Sequence, residues 1–203
     1  MHRVGILALQ GDVREHEQAL RALGVTPVAV RGPADLDSVE MIVIPGGEST
    51  TISMLLSSSG LVEPLRQRLG SGMPAFGTCA GMILLAQDIE GGRPDQLQLS
   101  AIDITVRRNA FGRQVQSFET ELDVEGLDRP FPAVFIRAPA VERVGPGVEI
   151  LASVDTPDGP SRAVLCRQGA ILVAAFHPEL SGDVRLHELF LEGSLREPST
   201  TKP

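Results

Sequence analysis

A three-layer α/β fold is predicted: an open, mostly parallel sheet with helices on both faces and a small antiparallel extension. Three observations predict it. In the first half of the 203-residue chain, short apolar runs alternate with amphipathic helical patterns in the order β-α-β-β-α-β-α, as parallel strands with right-handed crossovers do. The second half reads as six strand-like runs with short polar turns. Some of these must extend the main sheet and others form the small antiparallel layer at one edge. Finally, the only aromatic residues are seven Phe, so Leu, Val, Ile and Ala must fill the core, as in a buried parallel sheet.

Val4-Gly5-Ile6-Leu7-Ala8-Leu9 is a nearly all-apolar run that ends in turn residues, as a central parallel strand does. Asp12-Val13-Arg14-Glu15 has capping-box spacing and opens a predicted helix to about Leu23, which Gly24 stops. Val25 to Val30 is a second strand, placed near an edge by Pro27. Met41-Ile42-Val43-Ile44 is a third, opening into Pro45-Gly46-Gly47-Glu48-Ser49-Thr50-Thr51. Helices are expected from about Ser49 and over Val62 to Leu69. Pro74-Ala75-Phe76 then leads through a tight turn into a helix from Met82 to Ala86. The later strand-like runs are 101–107, 117–124, 133–137, 148–154, 163–167 and 170–175, with a last amphipathic helix over 183–192. A single domain over 1–195 and a polar, frayed tail over 196–203 are expected.

The formal net charge of −8 argues against a nucleic-acid backbone or an anionic membrane as partner. Two cysteines, Cys79 and Cys166, make no disulfide framework in a chain of this length, which points to a reducing, cytoplasmic setting. The apolar run at Val4 to Leu9 is too short for a signal-peptide core, and no run approaches membrane-spanning length.

The chemistry centres on Phe76-Gly77-Thr78-Cys79-Ala80-Gly81-Met82. Gly77-x-Cys79-x-Gly81 has the spacing of a nucleophile elbow, with a thiol where related hydrolases carry a hydroxyl. The apex must sit in a strained turn, and the flanking glycines let strand and helix approach closely. Helix N–H groups beyond the turn favour a thiolate. The alternative is a buried structural cysteine after a strand. Near the end of the chain, Phe176-His177-Pro178-Glu179-Leu180 follows an apolar run. Pro178 disfavours a helical His177, and in extended chain His177 and Glu179 project to one side. The carboxylate then fixes the imidazole tautomer, the base-and-orienter half of a triad whose nucleophile is Cys79.

Pro45-Gly46-Gly47-Glu48 also lies just past a strand end. Backbone N–H groups of Gly47 and Ala80 are the expected oxyanion donors. The Lys-Ser/Thr ending of a phosphate-binding P-loop is missing. Arg107 and Arg137 each follow a strand-like run and suit a carboxylate, although most such arginines are merely solvated. His2, His16 and His187 lack metal-ligand spacing and read as solvated or helix-face residues, so no metal is expected. Cys166 reads as core.

These motifs together resemble the class I (triad-type) glutamine amidotransferases, with their flavodoxin-like sheet. Within them the chain is similar to the glutaminase subunits of two-component pyridoxal 5'-phosphate synthases. The similarity runs from Val4 to about Leu191. Beyond the elbow and His-Pro-Glu, it rests on Leu7-Ala8-Leu9-Gln10-Gly11-Asp12-Val13-Arg14-Glu15-His16, Gly46-Gly47-Glu48-Ser49-Thr50, Arg108-Asn109-Ala110-Phe111-Gly112-Arg113-Gln114 and Phe135-Ile136-Arg137-Ala138-Pro139.

The resemblance implies that Cys79 attacks the side-chain amide of L-glutamine, His177 shuttles the proton and Glu179 orients it. It assigns glutamine contacts to Gly47, Glu48, Ser49, Arg107, Ile136 and Arg137. It also implies a (β/α)8-barrel synthase partner in a large hetero-oligomer, fed with ammonia through a channel, and no cofactor on this chain. The first helix belongs to the interface, with Gln10, Gly11 and Asp12 reporting docking to the oxyanion loop. A glutaminase serving another synthase, or a stand-alone cysteine hydrolase of related fold, would share the elbow. Hydrolases of that kind usually carry an acid where this chain has Gln10. A regulatory subunit without catalysis would lack a triad member, and all three are present.

Overall fold

The computed structural model describes residues 3–92, 96–108, 117–156 and 159–193. In the first half the apolar runs become short strands, fully buried except at the edge strand β2. β1 (Val4–Leu7) leads to α1 (Val13–Ala22), then to β2 (Val28–Val30), the short α2 (Pro33–Asp37) and β3 (Met41–Ile44). Next come α3 (Ser49–Ser59), α4 (Val62–Gly70), β4 (Ala75–Thr78) and α5 (Ala80–Leu85). The strand-rich second half contains β5 (Ala86–Glu90), β6 (Ile102–Arg107), β7 (Ser117–Leu122), β8 (Phe131–Ile136) and β9 (Ala140–Val144). It closes with β10 (Glu149–Thr156), β11 (Gly159–Gln168), β12 (Ile171–Ala174), a 3-10 turn (Pro178–Leu180) and α6 (Arg185–Gly193).

The main sheet has seven strands in the order β10-β11-β12-β4-β3-β1-β2. From β12 to β2 all neighbours are parallel, with Val43 opposite Phe76 and Gly77 opposite Val173. β11 and β10 extend it antiparallel, and β2, with its upstream Pro27, is the far edge. Because β1, β3, β4 and β12 run the same way, their carboxyl ends open on one side of the sheet. Gln10, Gly46, Cys79 and His177 all follow those ends, where ligands bind in open α/β sheets.

The smaller layers differ in one respect from the antiparallel extension expected. β7 and β8 pair antiparallel, but β5-β6-β9 is mixed, with β5 parallel to β6. α2, β5 and β9 have no counterpart among the expected elements. α2 is five residues long, and β5 (Ala-Gln-Asp-Ile-Glu) and β9 (Ala-Val-Glu-Arg-Val) lack clean alternation. The helix expected to reach Ala86 ends at Leu85, where the chain turns into β5.

The core is aliphatic around four fully buried rings, Phe76, Phe131, Phe135 and Phe176. Each such side chain contributes about 1.5–3 kcal/mol of hydrophobic stabilisation. Among the described residues no helix is long and apolar enough to cross a membrane. The tail over 196–203 and most of the Arg-Asn-Ala-Phe-Gly segment lie outside the described residues.

Candidate active site

Cys79 stands between β4 and α5 with φ +48° and ψ −100°, a left-handed conformation that costs a non-glycine residue about 1–3 kcal/mol. The surroundings hold it there. Its N–H donates to the Ala174 carbonyl of β12 at 2.8 Å, and α5 begins at the next residue. A Cβ on Gly81 would run into the Ile44 carbonyl oxygen, so only glycine lets α5 sit this close to β3. The strained apex and the close approach of helix to strand that an elbow needs are both present.

His177 follows β12, with its N–H on the Val134 carbonyl at 2.8 Å. Its Nδ1 is 2.8 Å from Oε1 of Glu179 and 3.2 Å from Oδ2 of Asp12. His177 and Glu179 lie side by side as expected, but for a different reason. His177 is non-helical (φ −107°, ψ 83°), whereas Glu179 sits in the 3-10 turn that Pro178 opens. Occupation of Nδ1 leaves Nε2 for the thiol. Burial works against a charged ring at His177. Hydrogen bonds with Asp12, Cys79 and Glu179 outweigh that and hold its proton above the ordinary histidine value. Burial pushes Glu179 up, partly offset by the hydrogen bond and charge of His177.

The Asp12 contact replaces the capping box expected at the start of α1. Asp12 is the N-cap residue, yet its side chain makes no capping bond; its carboxylate is drawn to the imidazole instead. Donor atoms of Asp12, His177 and Glu179 lie within 4.8 Å of one another, a closeness that the imidazole proton between two carboxylates explains.

The glycine pair after β3 is tied to both neighbours. Gly46 N–H donates to Thr78 Oγ1 at 3.0 Å, and the Gly46 carbonyl accepts from Asp12 N–H at 3.2 Å. Gln10 Oε1 accepts the Glu48 N–H at 2.9 Å. A Cβ on Gly46 would collide with the His177 ring. Glu48 caps α3 by accepting from Thr50 N–H at 3.1 Å and Thr51 N–H at 2.7 Å. Slight burial opposes its charge, but these bonds hold its carboxyl down at about 2.

A cleft of about 380 Å³ opens over the thiol. Gln10, Asp12, Gly47, Glu48 and Ser49 line one side; Cys79, Ala80, Ile136, Arg137 and His177 line the other. Ala80, as the first residue of α5, has no intrahelical acceptor for its N–H. Ile136 approaches the thiol with its carbonyl oxygen, 3.9 Å from Sγ, and Arg137 carries the strained φ of +44°. A larger cavity of about 520 Å³ beside β10, lined by Asp123, Glu125 and Asp128, includes none of the triad residues.

Three expected residues are not in the cleft wall; Glu179 is buried, reaching the site only through His177. Gly11 is exposed beside the cleft. Arg107 lies on β6 and pairs with Glu142 of β9 at 2.5 Å. Its neighbour Arg108 lines the cleft, as Arg137 does, and is held by Glu48 at 3.2 Å and Gln96 at 3.1 Å. Successive residues leave a strand on opposite sides, so one position decides which guanidinium faces the site. The signal was present, since Arg108 opens the Arg-Asn-Ala-Phe-Gly segment.

Two of the histidines lie on helices, as one expected reading had it, but on buried faces rather than in solvent. His16 and His187 are fully buried, 2.9 Å apart through Nδ1 and Nε2 respectively. Cys166 is core as expected, its thiol pushed up to about 12 by burial.

The chain is similar to known proteins over most of its length. "Pyridoxal 5'-phosphate synthase subunit PdxT" of Nocardia farcinica is 61% identical over 192 residues, 93% of this chain and 84% of that protein. The protein of the same name from Nocardioides sp. is 59% identical over 189 residues, 93% and 94% of the two chains. A glutamine amidotransferase crystal structure superposes with a TM-score of 0.86 at 49% identity, covering 94% of this chain and 98% of the other. PurLQS from Thermotoga maritima, at 15% identity and a TM-score of 0.67 over 95% and 99% of the chains, shares the fold. The SNO glutamine amidotransferase family model matches residues 6–196. The chain belongs to the SNO glutamine amidotransferase family.

Proposed function

We propose that this protein is the glutaminase subunit of a pyridoxal 5'-phosphate synthase, splitting L-glutamine into L-glutamate and ammonia. The observation that carries the chemistry is the Cys79–His177–Glu179 relay at the mouth of a cleft with room for one amino acid. Sγ of Cys79 adds to the side-chain amide carbon, and Gly47 and Ala80 offer N–H groups to the developing oxyanion. The C–N bond breaks as His177 passes its proton to the leaving nitrogen, giving ammonia and a thioester. His177 then takes a proton from water, whose oxygen displaces the thiolate to release glutamate. Glu179 holds the ring in the required tautomer throughout.

Glu48, Ser49, Ile136 and Arg137 contribute glutamine contacts, and Arg108 takes the role expected of Arg107. Ammonia passes through a protein channel to a (β/α)8-barrel synthase subunit in a large hetero-oligomer, since ammonia freed into neutral water would mostly protonate and lose its nucleophilicity. Gln10, Gly11 and Asp12 connect the oxyanion loop to the start of α1, the face offered to the synthase. Hydrogen bonds from Asp12 N–H and to Gln10 Oε1 support that reading.

The test is glutamate release from glutamine by the purified chain mixed with a synthase subunit. Cys79→Ala or His177→Asn should lower the rate by roughly 10⁴-fold or more, while ammonium salts still support cofactor synthesis. Undiminished hydrolysis in Cys79→Ala would end the mechanism, and failure of ammonium to substitute would end the ammonia-donor role.

A further inference from the structure

Behind the triad lies a second row of buried polar groups that the reaction just described does not use. His16 of α1 joins His187 of α6 through its Nδ1. Its other nitrogen, Nε2, is 3.1 Å from the Thr78 hydroxyl and 3.5 Å from Oε2 of Glu179. Thr78 Oγ1 in turn accepts the Gly46 N–H of the oxyanion loop. Oε2 of Glu179 is buried and, among the described residues, lacks a hydrogen-bond partner at ordinary distance, as does Nδ1 of His187. A buried carboxylate oxygen without a donor is costly, and His16 Nε2 is the ring nitrogen beside it.

Proton counting decides the arrangement. Burial, then the neighbouring His187 and His177, keeps His16 well below the ordinary histidine value, and burial holds His187 down to about 4. Each ring therefore carries one N–H near neutral pH. A proton on His16 Nδ1 would set a lone pair against Glu179 and leave His187 with an orphaned N–H. A proton on Nε2 is given to Thr78 Oγ1 and faces the charged oxygen; it leaves His187 only an unused acceptor, and the Thr78 hydroxyl, which rotates, turns its own proton away from the ring. Orphaned buried donors are the rarer defect, and the negative charge of Glu179 Oε2, 3.5 Å away, favours a proton on the ring nitrogen that faces it.

We propose that His16 is a positioning residue of the glutaminase, supporting Glu179 Oε2 directly and the Gly46 amide through Thr78, with His187 fixing its tautomer from behind. The proposal rests on the glutaminase reading above. His16 touches no reacting atom and acts through Glu179. A continuous line of side chains then runs from α6 through α1 to the nucleophile: His187, His16, Glu179, His177, Cys79. Asp12, one helical turn before His16, contacts His177. The seating of α1 thus sets two contacts of the triad at once.

Glutamate release by the complex with the synthase subunit tests it. Gln at position 16 can place an amide nitrogen where Nε2 stands, whereas Asn reaches only the His187 side. His16→Asn is expected to lower kcat by about 100-fold, with KM for glutamine within about twofold of wild type. His16→Gln should recover to within about fivefold of wild type, and Thr78→Val, which keeps the shape, should lose about tenfold in kcat. Thermal midpoints separate these effects from loss of fold. Equal losses in the Asn and Gln variants, a loss confined to KM, or a wild-type rate in Thr78→Val would overturn the proposal. Should neither His16 variant fold, Thr78→Val decides alone. A wild-type complex that releases no glutamate would instead overturn the glutaminase reading itself.

Discussion

Arg107 and Arg108 are adjacent cations with opposite surroundings. The Arg107 guanidinium pairs with Glu142 across β6 and β9, a half-exposed ion pair of the kind that contributes roughly 0–1 kcal/mol. Arg108 is braced by Glu48, Gln96 and Thr50 at the cleft wall, where a planar cation suits the α-carboxylate of an amino acid. A hydrogen bond to a charged group is worth about 1.5–3 kcal/mol, or roughly 10–100-fold in binding. Arg108→Ala should therefore raise KM for glutamine by about that factor, and Arg107→Ala should change it by less than about twofold. Steady-state kinetics of both variants in the synthase complex checks this, and the reverse outcome would return the substrate contact to Arg107.

At the scale of the element, α3 shows how one loop can serve helix and cleft together. Glu48 satisfies two of its orphaned N–H groups, and a cap of this kind is worth about 1 kcal/mol. Its folded value of about 2 lies below the ordinary 4.5, so its contribution is present above about pH 4.5 and is lost as pH falls through 2. Glu48→Ala should cost about 1 kcal/mol at pH 7, discounted for an exposed carboxylate, and only a small part of that at pH 2. Urea unfolding at the two pH values reads it, and an equal loss at both would exclude the charge as the cause.

The same contrast between local and distant causes explains what could be read beforehand. The elbow was legible because Gly77, Cys79 and Gly81 meet a local demand, and the parallel strands because burial on both faces leaves unbroken apolar runs. Glu179 was legible by its spacing from His177, though a 3-10 turn rather than extended chain joins them. Asp12 looked like an ordinary cap because nothing nearby in sequence reveals the imidazole across the cleft. His16 and His187 are 171 residues apart, and only the docking of α1 and α6 against β4 makes them a buried pair.

For the molecule as a whole, the histidines act on stability with opposite signs. His16 and His187 have folded values below the unfolded one of 6.5, so the unfolded chain binds more protons between the two. Their contribution is complete above pH 6.5 and falls away as pH drops, for His187 towards about 4. For His187 alone the difference between 6.5 and about 4 corresponds to about 3 kcal/mol. Glu179, raised by burial, opposes this over part of the window, one carboxyl against two rings. His177 is raised instead, so its contribution is present below pH 6.5 and is lost as pH rises through its folded value. The two slopes meet near the ordinary histidine value, where stability should be greatest. Urea midpoints measured from pH 4 to 9 should peak there. His177→Asn should flatten the alkaline side, and the double change His16→Gln with His187→Gln the acid side. An acid limb unchanged in the double variant would assign acid lability to the carboxylates instead, and the buried rings would then have no part in it.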